Sequence, residues 1–211
     1  YLTLGIPRAL NMNEDFQFWY TLFTLNNVKV QLSQRSTNKI YERGLNTVMA
    51  DNICFPAKLA HGHVFDLIDK KVDRIFYPYV IYEIQDKNTN NSFNCPVVSG
   101  YSDVLRSAIN PEAKYGIPLD APVINFKDRD LLHKQCLRYL KELLGKNFSK
   151  KNFEKSFEDA IAAQNKYVQT LQQKAQHLLE SARKDDRMLI LLAGRPYHTD
   201  SLVQHKISEI I

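Results

Sequence analysis

The chain has 211 residues, 44% of them hydrophobic and 24% charged, which is ordinary for a globular protein and excludes a disordered or fibrous one. Its net charge of +5 is spread along the sequence rather than gathered into one basic patch, so nucleic-acid binding is not expected. No apolar run reaches the roughly 20 residues of a membrane span, and three widely spaced cysteines do not form a disulfide framework. We therefore predict a cytoplasmic protein without a membrane anchor.

Short apolar strands alternate with helical patterns through the first two thirds of the chain. The predicted strands, in chain order, are YLTLGIP, VKVQLS, VDRIFYPYV, NCPVVS and APVINF. Apolar residues at helical spacing predict helices at 16–25, 37–49, 56–71, 101–109 and 129–144. This alternation is typical of βαβ units, so we predict an α/β domain over residues 1–148 with a doubly wound, mainly parallel sheet.

A long helix is predicted over residues 150–184, where apolar residues keep helical spacing and neither proline nor glycine interrupts them. Such a helix would be about 50 Å long, which exceeds the height of one sheet. We expect the segment 149–186 to connect two domains. The alternative is an arm that packs on another chain, as in a homodimer.

The segment DRMLILLAGRPYHTD predicts one more strand, which ends at Gly194 and Pro196. It repeats the pattern of LTLGIPR near the beginning of the chain, an apolar strand closed by glycine and proline. Residues 187–211 are therefore predicted to be the first βα unit of a second, truncated α/β domain. We interpret the chain as a piece of a larger protein.

Two of the cysteines are predicted to lie beside proline at structural corners. Cys54 precedes Pro56 at a predicted helix start, where the positive end of the helix dipole would stabilise a thiolate, although simple packing would explain it too. Cys95 is followed by Pro96 and lies next to a predicted strand. Because side chains at the carboxyl ends of parallel strands converge, both sulfurs are candidates for one metal site. Cys136 lies on an apolar helix face, which favours core packing.

Two further groups of residues are candidates to line a substrate or anion cleft. His61 and His63 are two apart on a helix and point in different directions, so they do not form a metal clamp. Gly62 between them indicates the close approach of a neighbour or a ligand. Arg195 and His198 follow a predicted strand end, a place suited to an anion, although a surface turn would look the same.

Several motifs are absent from the sequence. It has no glycine-rich dinucleotide fingerprint, no phosphate-binding loop and no zinc-protease helix, and ligand pairs at the short spacing of structural zinc sites are missing. We therefore expect no ATP site in this chain.

The segments LGIPRALNM, NICFPAKLAHGHVFDLIDKKVDRIFYP, NCPVVSGY and AGRPYHTD together resemble activase-related proteins of the 2-hydroxyacyl-CoA dehydratase system. The similarity is to the uncharacterised domain of the large fused CoA-substrate-specific enzyme activases. It implies a Rossmann-like fold and a low-potential iron–sulfur cluster held by cysteines, here Cys54 and Cys95. It also implies a parent chain with a separate ATP-hydrolysing activase module, and an acyl-CoA-type substrate.

Two cysteines cannot complete a four-iron cluster, which usually has three or four thiolate ligands. The remaining ligands would come from the rest of the parent chain, from a partner chain or from Cys136, and the cluster would be absent or incomplete in this fragment. The function implied is ATP-coupled electron transfer. The alternative is a cluster-free domain of the same large protein that binds a ligand or docks the activase.

Overall fold

The computed structural model describes residues 1–85 and 89–211, in which short strands alternate with helices. The strands are β1 (Thr3–Ile6), β2 (Lys29–Leu32), β3 (Arg74–Phe76), β4 (Tyr79–Tyr82), β5 (Leu119–Asp120) and β6 (Val123–Asn125). The α-helices are α1 (Phe16–Thr24), α2 (Asn38–Leu45), α3 (Phe55–Asp69), α4 (Pro96–Ile109), α5 (Pro111–Tyr115), α6 (Arg129–Leu144), α7 (Lys150–Lys184) and α8 (Ile207–Ile210). Short 3-10 helices cover Leu10–Asn13, Gly145–Asn147 and Pro196–Thr199.

Four strands form a parallel sheet in the order β2-β1-β3-β5, and β4 and β6 form a second parallel pair. Helices flank the sheet because each parallel strand must be connected to the next by a crossover. The predicted α/β fold with a mainly parallel sheet is confirmed.

The two sheets are nearly continuous and separate at Pro78, between β3 and β4, and at Pro122, between β5 and β6. The Tyr77 N–H donates to the Asp120 carbonyl at 2.8 Å, and the Tyr79 N–H donates to the Pro122 carbonyl at 2.9 Å. Pro78 has no N–H to continue the ladder, so the single predicted strand VDRIFYPYV is divided into β3 and β4. Tyr77 therefore lies at the point where the larger sheet ends.

The predicted strand NCPVVS is wrong, because these residues begin helix α4. Pro96 occupies the first helical position, where its missing N–H costs nothing. Cys95 is the extended N-cap residue, and its sulfur accepts a hydrogen bond from the Val98 N–H at 3.4 Å. The fourth strand of the sheet is instead β5, whose two residues are too few to give a periodic signal.

Aromatic side chains fill the core between the sheet and the helices. Trp19 of α1 packs edge-on against Phe76 of β3, with ring centroids 4.7 Å apart. From α7, Phe157 contacts Phe18 in the same way at 5.9 Å. Cys136 of α6 is 1% exposed within this core, so its predicted packing in the core is confirmed.

Gly62 lies where α3 touches α2, which confirms the predicted close approach and identifies the neighbour. A Cβ atom on Gly62 would lie 1.8 Å from the Ile40 carbonyl oxygen of α2. A Cβ atom on Gly44 would lie 2.3 Å from the Gly62 nitrogen. Only glycine at both positions allows the two helix backbones to come this close.

Helix α7 coincides with the predicted long helix, and only its first half packs on the domain. Gln164 marks the boundary. Its side chain accepts from the Phe18 N–H in the first turn of α1 and donates to the carbonyl of Glu14, which lies just before that helix. Beyond Gln164 the helix is largely exposed, including the large apolar side chains Tyr167, Val168, Leu171, Leu178 and Leu179.

The strand predicted after α7 does not form in the described part of the chain. The structure assigns no strand to residues 187–195, and the side chains of Met188, Leu189, Ile190, Leu191 and Leu192 are exposed. A strand needs a neighbour to take its backbone hydrogen bonds, and no described strand lies beside this segment. The predicted division at 1–148, 149–186 and 187–211 stays a prediction. Among the described residues, no helix combines the length and apolarity required to cross a membrane.

Candidate functional site

Cys54 and Cys95 occupy equivalent positions in the fold. Each is the N-cap residue of a helix that begins at the carboxyl edge of the parallel sheet, α3 and α4 respectively. Their backbones are both extended, with φ and ψ of −61° and 147° at Cys54 and −65° and 153° at Cys95. Both thiols are free and exposed. The prediction that Cys54 opens a helix is confirmed, and Cys95 does the same.

A direct hydrogen bond joins α3 and α4 at nearly the same number of residues from their N-termini. The His61 ring and the Tyr101 hydroxyl are 2.9 Å apart, seven residues after Cys54 and six residues after Cys95. Both helices run away from the carboxyl edge, since each leads into a parallel strand. Axes of packed helices are about 8–10 Å apart. The two thiols therefore lie at the same end of neighbouring helices, on one edge of the sheet.

Two tyrosines lie close enough to both thiols for the sulfur charges to act on them. Burial and the neighbouring thiols Cys54 and Cys95 raise the pKa of Tyr77. Burial also raises the pKa of Tyr197, and the same two thiols add to the effect. Burial raises the pKa of Tyr101 to about 12, with a contribution from Cys54. These phenols are therefore neutral near pH 7 and can only be hydrogen-bond partners there.

The His61 ring is 0% exposed and both of its nitrogens are hydrogen-bonded. The Thr47 hydroxyl donates to the Gly44 carbonyl at 2.8 Å, so it must accept from the His61 Nδ1–H, also at 2.8 Å. The Tyr101 hydroxyl then donates to His61 Nε2. Burial lowers the pKa of His61 to about 4, so the ring is neutral at pH 7. His61 of α3 thus connects Thr47, which follows α2, to Tyr101 of α4 and has a structural role.

His63 has an equivalent arrangement on the opposite side of α3. The Ser36 hydroxyl donates to the Asp200 carboxylate at 2.6 Å, so it accepts from the His63 Nε2–H at 3.1 Å. The Ser33 hydroxyl donates to His63 Nδ1 at 2.9 Å. Burial lowers the pKa of His63 to about 4. Neither histidine of the His-Gly-His run reaches an open surface, and their predicted role in ligand binding stays a prediction.

Residues 195–205, here called the C-terminal strap, lie across the carboxyl edge of the sheet. Besides the bond from Ser36 to Asp200, the His205 ring packs on Phe55 with centroids 5.5 Å apart. Phe55 directly follows Cys54. The strap therefore covers the same edge that carries the two thiols.

Arg195 of the strap is paired with two side chains of the chain itself, an amide and a carboxylate. Its guanidinium donates to the side-chain oxygen of Asn94, the residue before Cys95, and lies 4.0 Å from the Glu14 carboxylate. The His198 ring is exposed and accepts from the Arg195 N–H at 3.0 Å. The structure thus places Arg195 near the thiols, while the predicted role of both residues in binding an anion stays a prediction.

Sequence reasoning missed an acidic cluster formed by the half-buried Glu14 and the buried Asp15 and Glu83. Asp15 is 2% exposed and Glu83 is 5% exposed. Burial raises the pKa of Asp15, and repulsion from the carboxylates of Glu83 and Glu14 raises it further. Burial likewise raises the pKa of Glu83 to about 7. Glu83 accepts from the Asn94 side chain at 2.5 Å. Only the fold brings residues 15 and 83 together, so no local sequence signal could have shown the cluster.

This acidic cluster opens onto a cleft of about 560 Å³ beside α7. Tyr167 and Leu171 of α7 form one wall, and Pro196 of the strap forms another. The cleft has the size of a small-molecule site. Carboxyl groups with raised pKa values could exchange a proton with a ligand bound there.

Among residues 1–85 and 89–211, no group of three or more His, Cys, Asp or Glu side chains is arranged to hold a metal ion. Cys54 and Cys95 are therefore at most part of a ligand set. Their exposed sulfurs are ligand atoms of the kind that bind the iron of an iron–sulfur cluster, and the buried Tyr77 hydroxyl is a hydrogen-bond donor without a partner among the described residues.

Comparison with known families gives one match. The family model described as the CoA enzyme activase uncharacterised domain matches residues 3–211, nearly the whole chain. No curated protein and no solved structure is detectably similar in the same comparisons.

Proposed function

The chain belongs to the family of the CoA enzyme activase uncharacterised domain, and on that premise we propose that it supplies Cys54 and Cys95 as ligands to an iron–sulfur cluster. The observation that carries the proposal is the pair of N-cap thiols on α3 and α4, which His61 and Tyr101 hold at one level. The thiolate is the form of cysteine that binds iron, and both sulfurs are exposed and free to bind it.

The cluster would transfer single electrons at low potential when bound. The remaining ligands would come from elsewhere in a larger parent protein or from a partner chain. In that parent, an ATP-hydrolysing activase module would deliver the electron, and reductive chemistry on an acyl-CoA thioester of the 2-hydroxyacyl-CoA dehydratase type would use it. This chain's own residues would hold the cluster and restrict the access of water to it.

Anaerobic reconstitution of the parent protein with iron and sulfide tests the proposal. We expect wild-type protein to bind both, with a brown colour and broad visible absorption. The variants Cys54→Ser and Cys95→Ser should each lose most of the bound iron. Cys136→Ala is the matched control, since that thiol is buried in the core, and should keep the wild-type iron content. Equal iron in all four proteins would remove the assignment.

A cluster-free docking domain is the second candidate, because the described residues contain no complete metal-ligand set. In that case the reconstituted parent would stay colourless and would still bind the activase module. A pull-down of the separate activase module by this chain, with and without Cys54 and Cys95, separates the two functions. Docking alone would not depend on either thiol.

A further inference from the structure

Tyr77 is held rigidly at the edge of the sheet that carries both thiols. It follows β3 directly, and its N–H donates to the Asp120 carbonyl at 2.8 Å. Its side chain is 0% exposed. Since the flanking ladder fixes the backbone and burial fixes the ring, the hydroxyl has one defined position.

The Tyr77 hydroxyl has no hydrogen-bond partner among the described residues. Other buried tyrosines do have one: Tyr101 bonds to His61 at 2.9 Å, and Tyr139 donates to Asp120 at 2.9 Å. A buried hydroxyl without a partner loses its hydration with no compensation, so native proteins rarely keep one without a reason.

The surroundings of Tyr77 indicate what the missing partner is. Tyr77 directly follows β3 at the carboxyl edge of the sheet, where α3 and α4 begin with Cys54 and Cys95 as their N-cap residues. Both thiols are also among the groups that raise the pKa of its phenol. Neither thiol accepts its hydrogen bond as the protein stands. The Tyr77 hydroxyl is thus a neutral hydrogen-bond donor near two thiols that makes a hydrogen bond to neither of them.

We propose that the Tyr77 hydroxyl donates a hydrogen bond to the anionic group held by Cys54 and Cys95, at one of its sulfur atoms. The inference rests on the proposed function and adds a positioning residue to it. A donor next to the sulfurs stabilises the additional negative charge of the reduced cluster. Tyr77 therefore raises the reduction potential of the cluster.

Redox titration of the reconstituted parent protein tests this role. Tyr77→Phe removes only the hydroxyl oxygen, so we expect iron and sulfide contents equal to the wild type and a midpoint potential shifted to more negative values. Tyr139→Phe is the matched control, because it removes a buried phenol hydroxyl that already has a protein partner. Its midpoint potential should equal that of the wild type.

Thermal unfolding of the cluster-free chain provides a readout that needs no cluster. Tyr77→Phe should unfold at the same temperature as the wild type or higher, because no protein hydrogen bond is lost. Tyr139→Phe should unfold at a lower temperature, because its bond to Asp120 is lost.

The outcomes separate the two proposals. A Tyr77→Phe protein with normal iron content and an unchanged midpoint potential would overturn the role of Tyr77 and leave the cluster assignment intact. A lower unfolding temperature of cluster-free Tyr77→Phe would also overturn it, since the hydroxyl would then have a protein partner. Failure of the wild type to bind iron would overturn both.

Discussion

At the scale of single residues, His61 and His63 depend on partners that the sequence could not reveal. The hydroxyls that bond their rings lie between 14 and 40 residues away along the chain. The sequence predicts that two histidines spaced this way face different directions, and each indeed bonds to different elements. The positions of Cys54 and Cys136 could be predicted because proline placement and apolar spacing are local signals.

The burial of His63 should make stability fall in acid. Its pKa is about 4 in the folded chain, against about 6.5 when unfolded, so the unfolded state takes up a proton first as the pH decreases. The stabilisation is complete above pH 6.5 and is lost between pH 6.5 and 4. Between pH 7 and pH 5 the loss from this residue is about 2 kcal/mol.

Urea unfolding at pH 7, 6 and 5 checks this dependence. The His63→Gln variant should be less stable at pH 7, because its bonds to Ser33 and Ser36 change, and should lose less stability toward pH 5 than the wild type. His177→Gln, which replaces an exposed histidine of α7, should follow the wild-type curve. Parallel curves for wild type and His63→Gln would contradict the prediction.

At the scale of elements, the sequence predicts periodic segments well and short or interrupted ones poorly. The long helix matches α7 because its apolar spacing persists through about 35 residues. In NCPVVS, Val97 and Val98 favour a strand locally, whereas Pro96 is at the first position of a helix, and the structure forms the helix. The segment 187–193 has a strand's composition, but a strand also requires a neighbour.

The contact between α2 and α3 gives a prediction at this scale. Gly62→Ala would place a methyl group against the Ile40 carbonyl, and the backbone of α2 cannot yield as a flexible side chain would. We expect a destabilisation of about 3 kcal/mol in urea unfolding.

Gly100 provides the matched control for this substitution. It lies inside α4, and a Cβ atom there would meet nothing within 4 Å. Gly100→Ala should therefore stabilise the chain by about 0.5–1 kcal/mol through helix propensity. A Gly62→Ala protein as stable as the Gly100→Ala protein would show that the two helices are not in contact.

At the scale of the whole molecule, the C-terminal strap and the sheet form one continuous structure at the carboxyl edge. The strap brings Arg195 to Asn94 and Asp200 to Ser36, each more than 100 residues apart in the chain. The sequence motifs identified the family, yet they could not show that the segment containing Arg195 folds back toward Cys95. Contacts of that range depend on the fold and not on local pattern.

Loss of the Asp200 carboxylate should release the strap. Asp200→Ala removes the acceptor for Ser36 and the cap for the N–H groups of Leu202 and Val203. A charge-assisted hydrogen bond contributes roughly 1.5–3 kcal/mol, so local opening should increase about tenfold or more. Trypsin cleavage at Lys206 should accelerate accordingly under native conditions.

Asp185→Ala is the control for the strap, because Asp185 pairs with Arg187 on the surface and does not contact the strap. Its cleavage rate at Lys206 should equal that of the wild type. Equal rates in all three proteins would show that the Asp200 contacts do not hold the strap.

The half-docked helix α7 has a mechanical consequence. At 1.5 Å per residue, the portion beyond Gln164 is a rod of about 30 Å anchored at one end. A rotation of about 10° at the anchor would move the far tip by roughly 5 Å, the rise of one full helical turn. The side chain of Gln164 is hydrogen-bonded to the Phe18 N–H and to the Glu14 carbonyl. A small shift of the backbone at Glu14 and Asp15 would therefore produce a much larger displacement of the C-terminal end of α7.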